Sequence, residues 1–479
     1  MASIGRHSGL GFSICERLID EFLSTPSRDP KSHLILIFTT RSVLKTRQTL
    51  TRLQHHLRQF AEKSPYAKNL SRRANAQGTH YDWRQTAWRV HFLGVEVDLC
   101  NLREVYNVAC KLRGEGSPDM LATKGLPRDD EKGLALKDIG IPRLDSIIMN
   151  AGIGGWSGLN WPLAVWSILT DFRHAVTWPA YKIARVGAKI CGLDGQYRLH
   201  NDDSDKTLGE VFCANLFGHY VLGHELMPLL SKANGRPEGS RGRIIWVSSI
   251  EAIAATFVES DFQGLESFVP YESSKRLTDI LALTAELPSV QRASESYFAS
   301  GDVSNSNGED EKFKTQWDRP GMYLTHPGVC ATAIINLNFV LLWLMTAAFY
   351  AARLLGSVWH PVRSYSGACA PVWVALAEQE TLDSVEHNGT AKAKWGSSTD
   401  RWGQVRVRRT EVAGWGWRGR IEAAGSDDQP GRSVDAEDLT AAARDDFEVL
   451  GQRCWREMER LRVEWQQAVR SVKKKIDAL

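Results

Sequence analysis

The chain has 479 residues, 43% hydrophobic and 24% charged, the balance of a globular protein able to bury a large core. A formal net charge of +3 is too small to point to nucleic acid as a partner. The eight cysteines (Cys15, Cys100, Cys110, Cys191, Cys213, Cys330, Cys369 and Cys454) are scattered with no C-x-x-C pair. That spacing reads as reduced thiols facing the cytosol, with neither a disulfide framework nor a metal site.

No charged segment followed by an apolar run opens the chain, so no secretory signal is expected. Gly5-Arg6-His7-Ser8-Gly9-Leu10-Gly11 is a glycine-rich turn leading into a helical pattern from Phe12 to Phe22. Glycines there permit a tight turn and close approach to a pyrophosphate, which the helix N-terminus would stabilise. Such a turn normally follows a buried strand, yet only Met-Ala-Ser-Ile precedes Gly5. The first strand is therefore expected to be missing or reduced to a stub, as in a truncated gene model.

Leu34-Ile-Leu-Ile-Phe38 is a short β-branched run read as a buried strand. Val90 to Val97, Asp145 to Met149, Arg243 to Val247 and Met322 to Thr325 follow the same pattern. Helical periodicity fills the intervals at Val43 to Lys63, Leu102 to Leu112, Leu208 to Leu230 and Ser273 to Leu287. Strands alternating with helices predict an α/β fold, a doubly wound parallel sheet covered on both faces. Residues 64–85, 113–141, 156–200 and 295–318 interrupt the rhythm and are read as insertions, the first, second and fourth of them polar surface segments. Residues 396–435 mix Gly, Arg and Trp with little periodicity, and a charged amphipathic helix is predicted from Ala436 to Lys475. One domain over 1–335 followed by an extension over 336–479 fits this pattern better than two domains.

Several residues at strand ends carry chemistry. Arg41, after the first recognisable strand, stands where an arginine accommodates the 2′-phosphate of NADP(H) and an acidic residue would select NAD. Asp98 follows the 90–97 strand and is a candidate acceptor from an adenine amino group. Asn150-Ala151-Gly152 ends the next strand, where backbone must pass close to a cofactor. Pro327-Gly328 and Thr332 follow the last strand and would close over a nicotinamide. Tyr271 and Lys275 lie one helical turn apart on one face. An ammonium held beside a phenol favours the phenolate, which would lower the tyrosine pKa and suit it to donate a proton to a carbonyl. Ser248-Ser249 ends the strand before them. Asn215 on the 208–230 helix is either a structural hydrogen-bond bridge or the holder of a relay water.

In this order the glycine turn (Gly5, Gly9, Gly11), Asn150-Ala151-Gly152, Asn215, Ser249, Tyr271, Lys275 and Pro327-Gly328…Thr332 resemble the short-chain dehydrogenase/reductase family. The resemblance covers about residues 5 to 335 and implies a Rossmann-like sheet binding a nicotinamide cofactor. It implies that Tyr271 is the proton donor, that Lys275 holds the nicotinamide ribose, that Ser249 hydrogen-bonds the carbonyl oxygen and that Asn215 supports a water. The interval of 22 residues between Ser249 and Tyr271 is longer than that family's pattern, and Ser248 competes with Ser249.

Four blocks resemble a narrower group, the fungal 3-keto-steroid reductases of ergosterol synthesis. They are Leu144 to Trp156, Thr325-His-Pro-Gly328, Arg353 to His360 and Lys394-Trp-Gly-Ser-Ser-Thr-Asp-Arg-Trp402. This implies NADPH-dependent reduction of the C-3 ketone left after sterol C-4 demethylation. It also implies an endoplasmic-reticulum or lipid-droplet location and partners among the C-4 demethylation enzymes. Two segments suit such a substrate. The aromatic stretch from Trp156 to Trp178 would wall an apolar pocket or dip into a bilayer. Val329 to Ala352 runs 24 residues without a charge and is expected as a helix lying at a membrane surface. The alternatives are reduction of another hydrophobic carbonyl, such as a retinoid or acyl ketone, and a non-catalytic scaffold for the demethylation enzymes.

Overall fold

The computed structural model describes residues 9–114, 141–191, 207–231, 236, 239–299, 319–332, 338–387, 391–421, 430–432 and 436–477. Gly5 and Ser8 lie outside them, as do most of the 113–141 insertion and residues 300–318. Helix α1 (Leu10–Ser24) begins after Gly9 and buries Ile14, Ile19, Phe22 and Leu23. β1 (Leu34–Thr40) is followed by α2 (Val43–Lys63), α3 (Pro65–Ala76) and α4 (Trp83–Ala87). The 64–85 stretch, expected as a polar surface insertion, is thus largely helical. Ser64 accepts from the Ala67 N–H, Pro65 fills a first-turn position that needs no N–H, and Asp82 accepts from the Arg84 N–H. Cap chemistry decides the structure where polarity is uninformative.

β2 (Val90–Glu96) pairs parallel with β1, from Leu34 opposite Val90 to Thr40 opposite Glu96. After α5 (Leu102–Arg113) comes β3 (Ser146–Met149). The 156–200 insertion contains β4 (Trp156–Leu159), α6 (Trp161–Thr170), α7 (Phe172–Thr177), β5 (Lys182–Ala184) and β6 (Lys189–Cys191). β4 pairs antiparallel with β5, and β6 with β7 (Thr207–Gly209). The helix expected over 208–230 is subdivided. α8 (Glu210–Phe212) runs through a π turn at Cys213–Phe217 into α9 (Gly218–Glu225), and α10 (Met227–Leu230) follows. Pro228 lies in the first turn of α10, where its missing N–H cannot continue the ladder of α9.

β8 (Arg243–Val247) leads to α11 (Pro270–Thr284), α12 (Pro288–Phe298) and β9 (Gly321–His326). Next come α13 (Phe339–Leu354), α14 (Ser364–Gly367), α15 (Cys369–Leu376) and α16 (Gln379–Val385). β10 (Lys394–Thr399) and β11 (Val405–Thr410) form an antiparallel hairpin within the region expected to be irregular. Val405-Arg-Val-Arg-Arg-Thr410 alternates with period two, and the flanking glycines and tryptophans mask it. The charged tail is α17 (Ala441–Asp477).

The main sheet has the order β11-β10-β9-β8-β3, parallel from β10 to β3. β1 and β2 form a separate pair, and among the described residues no strand stands between β1 and β3. The seam shows in burial: β8 and β9 are buried throughout, whereas Ser146, Ile147 and Ile148 of β3 are only half-buried. Below the sheet, α17 sends Cys454, Trp455, Met458 and Trp465 into the core formed by α5, α9, α11 and α12. Trp246, Trp359, Trp395, Trp415, Trp417, Trp455 and Trp465 are buried. Much of the high tryptophan content is therefore core.

Candidate active site

The carboxyl ends of β1, β2, β3, β8 and β9 open on one cavity of about 990 Å³. Its first half is polar and lined by backbone. Gly9, Leu10 and Gly11 at the start of α1 line it with Thr40, Arg41, Lys45, Asp98, Asn150, Ala151 and Gly152. A side chain at Gly11 would stand 2.9 Å from Asn150 Nδ2, so a glycine there keeps this wall open. The N-terminus of α1 and the cations Arg41 and Lys45 suit a phosphate-bearing nucleotide. Lys45, in the first turn of α2 just after Arg41, was not singled out in the sequence. Asp98 already accepts the Cys100 N–H at 3.0 Å, so one carboxylate oxygen is engaged. Pro327, Gly328 and Thr332 reach the same cavity from the end of β9. Gly328 has φ 66°, and a Cβ there would lie 2.7 Å from the Ser397 carbonyl.

The second half is apolar. Trp156, Leu159, Trp161, Ala164 and Ile168 from the aromatic insertion face Leu341, Leu344, Met345, Ala348 and Phe349 of α13 across it. Outside the mouth the same two helices expose Val165, Trp166, Leu169, Phe339, Val340 and Trp343, with Leu169 at 78% and Phe339 at 68% of full exposure. Among the described residues no helix is long and apolar enough to cross a membrane.

Ser249, Tyr271 and Lys275 line the junction of the two halves. α11 starts at Pro270, so Tyr271 stands in its first turn and Lys275 one turn deeper. The Ser249 hydroxyl hydrogen-bonds the phenol and accepts the Glu251 N–H at 3.2 Å. Ser248 points the other way: its hydroxyl is buried and donates to Asp279 at 2.5 Å. Alternation along an extended chain separates the two serines, and the geometry favours Ser249 at the cavity. The interval of 22 residues between Ser249 and Tyr271 holds two short 3₁₀ turns, Ala254–Thr256 and Glu259–Asp261.

Asn215 sits in the π turn, buried, and bridges to β3's outgoing chain. Its Oδ1 accepts the Ile153 N–H at 2.7 Å, and its Nδ2 donates to the Ile153 carbonyl at 3.0 Å. Nδ2 also meets Ser274 Oγ at 3.2 Å. These bonds are those of the structural bridge. His219, one turn on, donates through Nε2 to the Ala151 carbonyl at 2.8 Å and so fixes the Asn150-Ala151-Gly152 turn.

The electrostatics differ from the expectation in one respect. Burial pushes the Tyr271 phenol above its usual range, the charge of Glu251 adds to this, and the Ser249 bond only partly offsets it. Lys275 does not lower it here. Its ammonium stands 5.8 Å from the phenol ring centroid and donates to the Val247 carbonyl at 2.8 Å. Burial lowers Lys275 itself to about 8. The sequence also gave no signal for a cluster beside Tyr271. Lys182 ion-pairs with both Glu251 and Glu272 and lies 4.4 Å over the Trp156 ring. The Trp156 ring is 5.1 Å from that of Tyr271. Burial raises Glu251 to about 7 despite Lys182.

No protein-family model matches the chain. It is 43% identical over 467 residues to "3-keto-steroid reductase erg27" of Aspergillus fumigatus, covering 96% of this chain and 92% of that one. It is 42% identical over 474 residues to "3-keto-steroid reductase ERG27" of Gibberella zeae, covering 96% and 93%. Among solved structures, carbonyl reductase Sniffer of D. melanogaster aligns with 18% identity and a TM-score of 0.28, over 68% of this chain and 79% of that one.

Proposed function

We propose that the chain, which belongs to the 3-keto-steroid reductases, works as a short-chain dehydrogenase/reductase and reduces the C-3 ketone of 4-demethylated sterols in ergosterol synthesis with NADPH. The observation that carries this is the single cavity, in which a nucleotide half and an apolar half meet at Ser249, Tyr271 and Lys275. Arg41 and Lys45 supply the cations a 2′-phosphate needs, and Lys275 would hold the nicotinamide ribose. The bound nicotinamide supplies hydride.

The chain's own residues handle the proton. Ser249 and Tyr271 both address the carbonyl oxygen. A phenol held protonated by burial and by Glu251 enters the reaction as an acid, and an alkoxide is basic enough to take its proton. Lys275, charged below about pH 8, keeps a cation one turn below the phenol, where the nicotinamide ribose would lie. The apolar walls of α6 and α13 exclude water from the ring system of the sterol.

The exposed faces of α6 and α13 at the cavity mouth support a position on a membrane surface, with the sterol entering from the lipid. We extend the reading to the cytosolic face of the endoplasmic reticulum or a lipid droplet, beside the C-4 demethylation enzymes that leave the ketone. Fractionation and affinity isolation of the full chain test this. Recovery only in the cytosolic fraction, without those enzymes, would remove it.

Purified chain with NADPH and a 4-demethylated 3-oxosterol is expected to yield the 3β-alcohol by mass spectrometry and chromatography. Retinoid and acyl ketones in the same assay are expected to react far more slowly. Faster turnover of those ketones would reassign the substrate.

A further inference from the structure

Under the active-site strand ends lies an ion pair that the reaction as described leaves unused. Lys394, the first residue of β10, is buried, and its ammonium donates to Asp279 Oδ2 at 2.6 Å and to the Ser249 carbonyl at 2.6 Å. Asp279 is fully buried on α11, one turn beyond Lys275 and two beyond Tyr271, on the same face. Its other oxygen accepts the Ser248 hydroxyl, which also reaches the Lys275 carbonyl at 3.3 Å. Lys275 in turn donates to the Val247 carbonyl at 2.8 Å. Three successive residues at the end of β8 are thus tied to α11, two of them through one buried carboxylate–ammonium pair.

We propose that Asp279 and Lys394 are positioning residues for the reduction, a pair that fixes Ser249 against Tyr271 and sets the charge field at Lys275. A buried pair of this kind is a costly way to stabilise a fold, since apolar side chains of similar volume often do as well. What apolar residues cannot supply is two opposite charges beside a titrating lysine. Asp279 raises Lys275 and Lys394 lowers it, while burial pushes Asp279 up and Lys394 down. Among the described residues, the other charged or titratable groups around them include Tyr271 and Arg276 on α11, His219 on α9 and His326 on β9. His326 is held neutral by burial and by Lys394, so it adds no charge of its own.

The proposal rests on Lys275 belonging to the reductase site, so its test needs a readout independent of turnover. Competitive acylation of the full chain across pH, followed by peptide mass spectrometry, reports the ionisation of Lys275 directly. Asp279→Asn is expected to move its midpoint down, and Lys394→Met to move it up, each by about one pH unit. In the ketone-reduction assay, the alkaline fall of kcat/KM is expected to move with it in both variants. If neither midpoint moves, or both move the same way, the charge-field role is overturned whatever the activity. Because a single variant leaves one buried charge unpaired, Asp279→Asn with Lys394→Met is the second arm. This neutral pair is expected to fold with its Lys275 midpoint near that of the parent. Its kcat is expected to fall roughly tenfold to a hundredfold with KM little changed, because Ser249 loses its anchor. Parental kcat in the double variant would overturn the positioning role. Activity missing from the parent, with the two midpoints still moving apart, would count against the reductase reading alone.

Discussion

The two adjacent serines offer a sharp separation of catalysis from stability. Ser249→Ala removes the hydroxyl that meets the Tyr271 phenol at the cavity. Losing one donor to a developing oxyanion costs about 10²–10³ in kcat, roughly 3–4 kcal/mol. In the fold it otherwise forfeits the bond from the Glu251 N–H at 3.2 Å, so stability should change by less than about 1 kcal/mol. Ser248→Ala does the reverse. Its hydroxyl is buried and donates to the Asp279 carboxylate, a charge-assisted bond worth about 1.5–3 kcal/mol. Its kcat should fall less than about tenfold, because that hydroxyl is taken up by Asp279 and the Lys275 carbonyl. Urea unfolding and steady-state NADPH oxidation on the two variants measure both quantities. A Ser248→Ala enzyme that is stable but inactive, or a Ser249→Ala enzyme that is unstable but active, would refute the assignment.

Arg41→Ala combined with Lys45→Ala should raise the Kd for NADPH by about 10- to 100-fold and leave NADH nearly unchanged, by fluorescence titration. Equal losses for both cofactors would mean that these cations do not read a 2′-phosphate. Trp455→Ala removes a fully buried ring packed against Tyr220, Tyr297 and Phe298, and should cost about 3–5 kcal/mol in urea unfolding. His219 and His360 are buried neutral, each lowered from 6.5 to about 4. Below pH 6.5 the unfolded chain binds these protons first, so their stabilisation is complete above that pH. It is lost as pH falls towards 4, by about 3 kcal/mol each. Unfolding midpoints at pH 7 and pH 5 check this, and a higher midpoint at pH 5 would contradict it.

Local chemistry was legible in the chain, and contacts between distant segments were not. The strands β1, β2, β3, β8 and β9 are short apolar runs whose pattern needs no tertiary context. Tyr271 and Lys275 announce themselves by helical spacing, and Arg41 by its place after a strand. The two serines could not be told apart, because adjacent residues differ only in which side of the strand they face. Asp279 and Lys394 stand 115 residues apart, and Lys182 stands 90 from Glu272, so nothing in either neighbourhood reveals the pair. β10 and β11 were hidden because glycine and tryptophan blurred a period-two pattern on an edge hairpin. The Tyr271 environment was misjudged because spacing shows the lysine but shows neither the burial nor Glu251, both of which raise the phenol.

The central claim is that Tyr271 delivers the proton to a sterol ketone in a cavity shared with NADPH. Single-turnover oxidation of NADPH by the full chain, with a 4-demethylated 3-oxosterol in detergent, tests it in the parent and in Tyr271→Phe. The parent should consume one NADPH per ketone reduced. The variant should bind NADPH normally and reduce the ketone at least about a hundredfold more slowly. A Tyr271→Phe enzyme that turns over at the parental rate would contradict the account.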